Sequence, residues 1–199
     1  MRLLRLLTPI FIFVFASISF AQKAPPQIDT RIYDIIQNTS SERIEADIRR
    51  LAGSGTSHTF SATVSDTRGI GAARRWIKEE FDKISADCGG CLEVFYQKDL
   101  VTAEGKAIGP KDAYVVNVVA ILRGTDYPNS HVIMSGDIDS RASDTMNYTI
   151  DAPGANDNAS GMAGTIEAAR VLSKYKFKHS IVFVGLSGEE QGLFGGQGL

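Results

Sequence analysis

The sequence has no excess of positive charge and few cysteines or histidines. Its 199 residues contain 21 lysines and arginines against 23 aspartates and glutamates, with three histidines and two cysteines. No basic patch stands out, which argues against a nucleic acid partner. Two glycines separate Cys88 from Cys91, and no second Cys or His pair follows them. In an oxidising compartment this spacing favours a local structural disulfide over a redox dithiol or half a zinc site.

The sequence also lacks an apolar run suited to a membrane anchor. The run Leu6–Phe20 is shorter than the ~20 residues of a membrane span and is interrupted by proline, serine and threonine. Arg2 and Arg5 precede this run, and Ser19-Phe20-Ala21 at its end forms a small-x-small cleavage site. These features predict a cleaved secretory signal over residues 1–21 and a secreted or periplasmic protein without a stable membrane anchor. Its removal leaves 19 basic against 23 acidic residues, a formal charge of −4.

The rest of the chain divides into a lead and one domain. Residues 22–40 are polar and predict a flexible lead, and residues 41–199 predict the domain. Helices are predicted over residues 41–52, 69–84 and 160–175, and strands over 92–97, 114–122, 131–135 and 179–186. The strand, helix, strand order after residue 131 predicts a crossover unit of an α/β sheet. The break in mid-motif at Leu199 predicts that the chain is part of a longer protein.

Three carboxylate clusters fall in small-residue loops at the ends of these elements. Asp137 and Asp139 follow one apolar strand, Asp157 precedes a helix, and Glu189 with Glu190 follow the next apolar strand. Sites in α/β sheets lie outside the carboxyl ends of strands, so two strand ends and a helix start are predicted to converge on one cleft. Carboxylates grouped in this way predict a metal site.

The order and spacing of the motifs resemble metallopeptidase family 28, the co-catalytic zinc aminopeptidases, over roughly residues 115–199. The motifs are Ser135-Gly136-Asp137-Ile138-Asp139, Ala155-Asn156-Asp157-Asn158 and Ser187-Gly188-Glu189-Glu190. The resemblance implies a three-layer α/β/α sandwich with a mixed, mostly parallel central sheet, incomplete here at the C-terminus. It also implies a secreted metal-dependent exopeptidase that removes N-terminal residues from peptide substrates by means of a metal-activated water.

The same resemblance implies two divalent metal ions, zinc first, and a role for each carboxylate. Asp157 bridges the ions, Glu190 binds the second ion, and Glu189 stays free of metal as general base and acid. Asp139 supports the first ligand, and the peptide bond after Asp157 is expected to be cis. The family supplies one more aspartate and one more histidine ligand further downstream, so the 199-residue chain by itself is expected to be inactive.

Asp137 departs from this pattern, because the family has a metal-binding histidine at that position. A carboxylate adds negative charge and shifts preference toward harder ions such as manganese, magnesium or calcium. The departure leaves two other readings open: a non-catalytic binding domain, or an acyl transferase similar to glutaminyl cyclases. His131 and His179 begin their strands and are predicted to lie far from the cleft. The role of His58 and the oligomeric state stay open.

Overall fold

The computed structural model describes residues 29–101 and 113–198. The predicted signal therefore lies outside the described residues. Within them, no helix has the length and apolar character needed to cross a membrane. The elements in chain order are α1 (Arg31–Asn38), α2 (Ser41–Ala52), α3 (Ile70–Asp87), β1 (Leu92–Val101), β2 (Ala113–Leu122), β3 (Tyr127–Asp137), α4 (Ser160–Leu172), β4 (His179–Leu186) and α5 (Phe194–Gln197).

The element types match the sequence prediction, and the main difference is helix α1. It lies within the segment expected to be a flexible lead, and none of its side chains is buried. The Asp29 carboxylate accepts a hydrogen bond from the Arg31 backbone N–H at 3.0 Å and pairs with the Arg31 guanidinium, which stabilises the helix start. The apolar residues Ile32, Ile35 and Ile36 do have helical spacing, but they pack on no described core, and Ile32 and Ile36 are exposed.

The four strands form one mixed sheet in the order β1-β2-β4-β3. Strands β1 and β2 pair antiparallel, β2 and β4 pair antiparallel, and β3 and β4 pair parallel. Helix α4 connects β3 to β4, as the predicted crossover unit requires. The α/β class and the mixed sheet are thus confirmed, and the parallel pairing within the described strands is confined to β3 and β4.

Helices α2, α3 and α4 share one apolar core with the sheet. Burying each large apolar side chain contributes about 1.5–3 kcal/mol to stability. Trp76 is partly buried and packs against this core. The predicted disulfide between Cys88 and Cys91 follows α3 directly. The central core residues are Ile77, Phe81, Val118, Met162, Ile166 and Phe183.

Strand β3 is one of the two outer strands of the described sheet, with β1 at the other edge, and most of β3 is exposed. Val132 and Ile133 keep 60% and 56% of their surface accessible. Its carboxyl end turns inward at Gly136, where a Cβ atom would lie 2.4 Å from the backbone nitrogen of Met162. Only glycine allows β3 and α4 to approach this closely. The approach places the end of β3 beside the start of α4.

Candidate carboxylate site

The structure brings the five predicted site residues to one edge of the sheet. Asp137 pairs in register with Leu186, so β3 and β4 end side by side. The carboxylates are close enough for their charges to act on one another. Burial raises the pKa of Asp137, and the negative charges of Asp139, Glu189 and Asp157 raise it further. Burial likewise raises the pKa of Glu190, and the negative charges of Glu189, Asp157 and Asp139 add to this rise. The predicted convergence of the three carboxylate clusters is therefore present, while the role of each carboxylate stays a prediction.

Asp139 is the buried centre of the site. It is 1% exposed, and its carboxylate accepts hydrogen bonds from the backbone N–H groups of Glu189 and Glu190 at 3.2 Å each. The hydroxyl of Thr59 donates a third hydrogen bond at 2.8 Å. Burial raises the pKa of Asp139, and these hydrogen bonds oppose the rise. Asp139 thus fixes the backbone of both glutamates at once.

Asp137 lies half-buried at the end of β3. Burial raises its pKa to about 6, and the charges of Asp139, Glu189 and Asp157 act in the same direction. Its backbone N–H donates to the side-chain oxygen of Asn158 at 3.2 Å. The peptide bond between Asp157 and Asn158 is cis, which confirms the expectation. Asp137 is therefore tied to the loop that carries Asp157.

Glu190 forms an ion pair with Arg141, whose Nε lies 2.7 Å from the Glu190 carboxylate. Burial raises the pKa of Glu190, Arg141 lowers it, and the neighbouring carboxylates raise it. Within residues 29–101 and 113–198, no three His, Cys, Asp or Glu side chains form a group able to hold a metal ion. The predicted ligands Asp137, Asp157 and Glu190 thus share a cleft without forming a closed metal group, and Arg141 is the counter-ion of Glu190.

His58, left open by the sequence, is fully buried behind the glutamate loop. Its Nδ1 accepts a hydrogen bond from the Phe60 backbone N–H at 3.1 Å, so the ring proton lies on Nε2. Nε2 then donates to the backbone carbonyl of Thr145 at 3.0 Å. The side-chain amide of Gln191 donates to the same Thr145 carbonyl at 3.4 Å. His58 and Gln191 thus meet at the Thr145 carbonyl, which joins three loops that are far apart in the sequence.

Asn117 is a second buried residue that sequence reasoning missed. Its side-chain oxygen accepts from the Ser187 backbone N–H at 3.0 Å, and its amide nitrogen donates to the Gly195 carbonyl at 2.9 Å. It thereby clamps both ends of the loop that carries the two glutamates. A polar residue inside the apolar run of β2 was the available signal, because a buried amide requires hydrogen-bond partners.

His131 and His179 lie far from the site, as predicted, and His179 begins β4. Strand β3, however, begins at Tyr127, four residues before His131. Both histidines are exposed at the opposite end of the sheet from the carboxylates. The ring of His179 stacks on Tyr127 with centroids 4.9 Å apart. Neither histidine reaches the site.

The fold and the site together define an α/β domain with a carboxylate cluster at the ends of two parallel strands. The model for Peptidase family M28 matches residues 117–199. A probable zinc metalloprotease of Pyrenophora teres f. teres (strain 0-1) is 42% identical over 171 residues, which are 86% of this chain and 35% of that protein. One of Leptosphaeria maculans is 41% identical over 170 residues, 85% of this chain and 39% of that protein. Residues 117–199 of the chain belong to peptidase family M28 by this match.

Solved structures share the fold at low sequence identity. LapB from Legionella pneumophila matches with a TM-score of 0.65 at 21% identity, over 87% of this chain and 42% of that one. The LapA aminopeptidase of the same organism has a TM-score of 0.63 at 21% identity, and the match covers 98% of this chain and 45% of that one. Fimbriiglobus ruber glutaminyl cyclase has a TM-score of 0.56 at 19% identity, and the match covers 77% of this chain and 47% of that one. The chain spans less than half the length of these proteins and of the curated relatives named above.

Proposed function

We propose that this chain is part of a zinc-dependent metallopeptidase that removes N-terminal residues from peptides. The observation that carries the proposal is the joint anchoring of Glu189 and Glu190 on Asp139. This anchoring holds two adjacent carboxylates at a strand end beside Asp137 and Asp157. The names of the curated relatives, probable zinc metalloproteases, support zinc as the metal.

The donor set fits a divalent cation. Burial and the neighbouring carboxylates raise the pKa of Asp137 to about 6. A cation among these groups would offset their repulsion and favour their ionised forms. Asp137, Asp157 and Glu190 are the residues that would hold it, and the ligand set would be completed by residues outside this chain. Bound metal would polarise the peptide carbonyl and acidify a water molecule.

The chain's own residues supply the remaining steps. The Glu189 carboxylate takes a proton from the attacking water and passes it to the leaving amine. Asp139 holds the backbone of Glu189 and Glu190 in place through its two carboxylate oxygens. Asn117 supports the same loop at Ser187, and Gln191 of that loop donates to the Thr145 carbonyl that also accepts from His58. These contacts hold Glu189, the proton acceptor, and Glu190, the metal ligand, in fixed positions relative to each other.

The function is tested on the complete polypeptide that carries this chain, by metal analysis and by peptide hydrolysis. We expect release of the N-terminal residue from a peptide with a free amine, loss of this activity with a chelator, and recovery with zinc. An N-acetylated peptide of the same sequence is the control and should not be cleaved. Cyclisation of an N-terminal glutamine instead of hydrolysis would identify an acyl transferase. Absence of both reactions in the metal-loaded protein would indicate a binding domain.

Export of the protein is the second part of the proposal. The basic start, the apolar run and the small-x-small site of residues 1–21 support it. The Cys88–Cys91 disulfide is in keeping with an oxidising compartment. Mass spectrometry of the protein recovered outside the cytoplasm should find a chain that begins at Gln22. A recovered chain that begins at Met1 would contradict cleavage.

Asp137 is expected to bind metal directly, which substitutions can test. Asp137→Ala should weaken metal affinity by at least about tenfold, whereas Asp137→His should retain metal and shift preference toward zinc. Added zinc should accordingly raise the unfolding temperature of Asp137→Ala less than that of the parent. Calorimetric titration measures the affinities, with the exposed Asp144→Ala as control. Full metal occupancy in Asp137→Ala would show that Asp137 is not a ligand.

Arg141 is expected to compete with the metal for Glu190. The pair joins a side chain that is 45% exposed to one that is 13% exposed, so its contribution is modest. Arg141→Gln should therefore tighten zinc binding by about two- to fivefold. Arg123→Gln is the matched control, since Arg123 forms an exposed pair with Glu93 instead. Unchanged or weaker zinc binding in Arg141→Gln would contradict the competition.

A further inference from the structure

A cleft of about 400 Å³ lies between the first turns of α3 and the strands β1 and β2. It is lined by none of the five site carboxylates, and no aspartate or glutamate of the described residues contributes to it. Its walls are rich in positive charge. The lining residues that matter here are Thr63, Arg74, Arg75, Tyr96, Lys98 and Val116.

Arg74 is the unusual residue of this cleft. It is 7% exposed, and its Nε and Nη2 are buried with no hydrogen-bond partner among the described residues. Burial lowers the pKa of Arg74 to about 10, and the charge of Asp139 opposes this. The guanidinium thus stays charged at neutral pH. Burying a charged donor without an acceptor destabilises the folded state. An acceptor for the Arg74 guanidinium would remove this cost, and the described residues do not supply one.

Nearby acidic groups are already engaged elsewhere. The Asp139 carboxylate is close enough for its charge to act on Arg74, but it accepts its hydrogen bonds from Thr59, Glu189 and Glu190. Asp66 lies 3.6 Å from Arg75. Neither carboxylate meets the hydrogen-bonding need of the Arg74 guanidinium.

The two other cations of the cleft have different roles. Arg75 donates to the backbone carbonyl of Thr63 at 2.8 Å and to that of Ser65, so it holds the loop that forms one wall. Lys98 is exposed, and its Nζ lies 3.8 Å from the centroid of the Tyr114 ring. Lys98 forms no ion pair within the described part of the chain, and it is one of the residues that line the cleft.

We propose that this cleft binds a small oxyanion, a phosphate or a carboxylate, on the guanidinium of Arg74. Nε and Nη2 share one edge of the guanidinium, and two parallel N–H groups match two oxygens of an oxyanion. Arg74 lines the cleft, and no hydrogen bond or ion pair among the described residues holds its guanidinium. Binding on this edge requires the buried side chain to turn it toward the cleft. Lys98 adds a second positive charge at the rim, and Arg75 keeps the wall in place.

The test is a titration of the protein with inorganic phosphate at constant ionic strength, with chloride as the replaced anion. Calorimetry and the unfolding temperature are followed together, because a ligand of the folded state raises that temperature in a saturable way. A parallel titration with acetate separates tetrahedral from planar oxyanions. Saturable binding of either anion is the expected result.

Three variants assign the binding to this cleft. Arg74→Gln should weaken it by about tenfold or more, because it removes a charge-assisted pair of hydrogen bonds. Lys98→Gln, at an exposed position with little risk to folding, should weaken it by about threefold. Arg49→Gln is the control, since Arg49 is exposed on α2 and pairs with Glu45. It removes the same charge and should leave the affinity unchanged.

Two results would overturn the proposal. One is a protein that shows no saturable response to phosphate or acetate beyond that to chloride. The other is an affinity that Arg74→Gln and Lys98→Gln leave equal to that of the parent. If Arg74→Gln does not fold, Lys98→Gln against Arg49→Gln decides the question. The titration needs no substrate turnover, so its outcome is independent of the proposed peptidase function.

Discussion

Glu189→Gln is expected to lower the turnover of the metal-loaded enzyme by about 100-fold or more while leaving its metal content nearly unchanged. The amide keeps the volume of the side chain but cannot accept the water proton. The backbone N–H of Glu189 remains bonded to Asp139 in the variant, because the substitution changes only the side chain. Steady-state kinetics and metal analysis on the same preparation measure the two effects.

The neighbouring residue provides the matched control. Glu190→Gln is the same isosteric change one position later, and it alters a proposed metal ligand instead of the proton acceptor. It should lower metal content and turnover together, and restoring metal by excess zinc should recover part of the activity. Equal turnover in Glu189→Gln and the parent would remove Glu189 from the mechanism.

Asp139→Ala is expected to destabilise the fold by about 3 kcal/mol, since it leaves three hydrogen-bond donors without their acceptor. Two of these donors are the buried backbone N–H groups of Glu189 and Glu190, and the third is the Thr59 hydroxyl. The variant also removes a carboxylate whose negative charge is unfavourable in the interior, since burial raises the pKa of Asp139. This gain offsets part of the lost stability. Urea denaturation measures the free energy of unfolding.

Two controls separate this effect from a general sensitivity to aspartate loss. Thr59→Val removes one of the three donors and should cost about 1 kcal/mol. Asp144→Ala alters an exposed aspartate near the site and should change stability by less than about 0.5 kcal/mol. If Asp139→Ala unfolds at the same urea concentration as the parent, Asp139 does not organise the glutamate loop.

The sequence predicted those features that depend on local pattern. Strand β4 begins and ends where the apolar run does, at His179 and Leu186, because a strand buried on both faces is apolar throughout. The convergence of Asp137, Asp157 and Glu189 followed from one rule, that the carboxyl ends of neighbouring parallel strands meet. The order of strands along the sheet did not follow, since it depends on long-range pairing.

Contacts between distant segments could not be predicted. Thr59 and Asp139 are separated by 80 positions, and His58 and Gln191 by 133. A lone histidine or threonine in a polar loop has no periodic pattern that indicates its partner. The ion pair between Arg141 and Glu190 could not be predicted for the same reason.

The exposed strand β3 has a practical consequence for work with this part of the chain in isolation. An unpaired outer strand presents a row of backbone N–H and C=O groups that a second molecule can extend into a continuous sheet. The exposed side chains of Val132 and Ile133 would add apolar contact to such pairing. Self-association through this strand is therefore expected at high concentration, and dilute samples give the cleaner measurement of stability and binding.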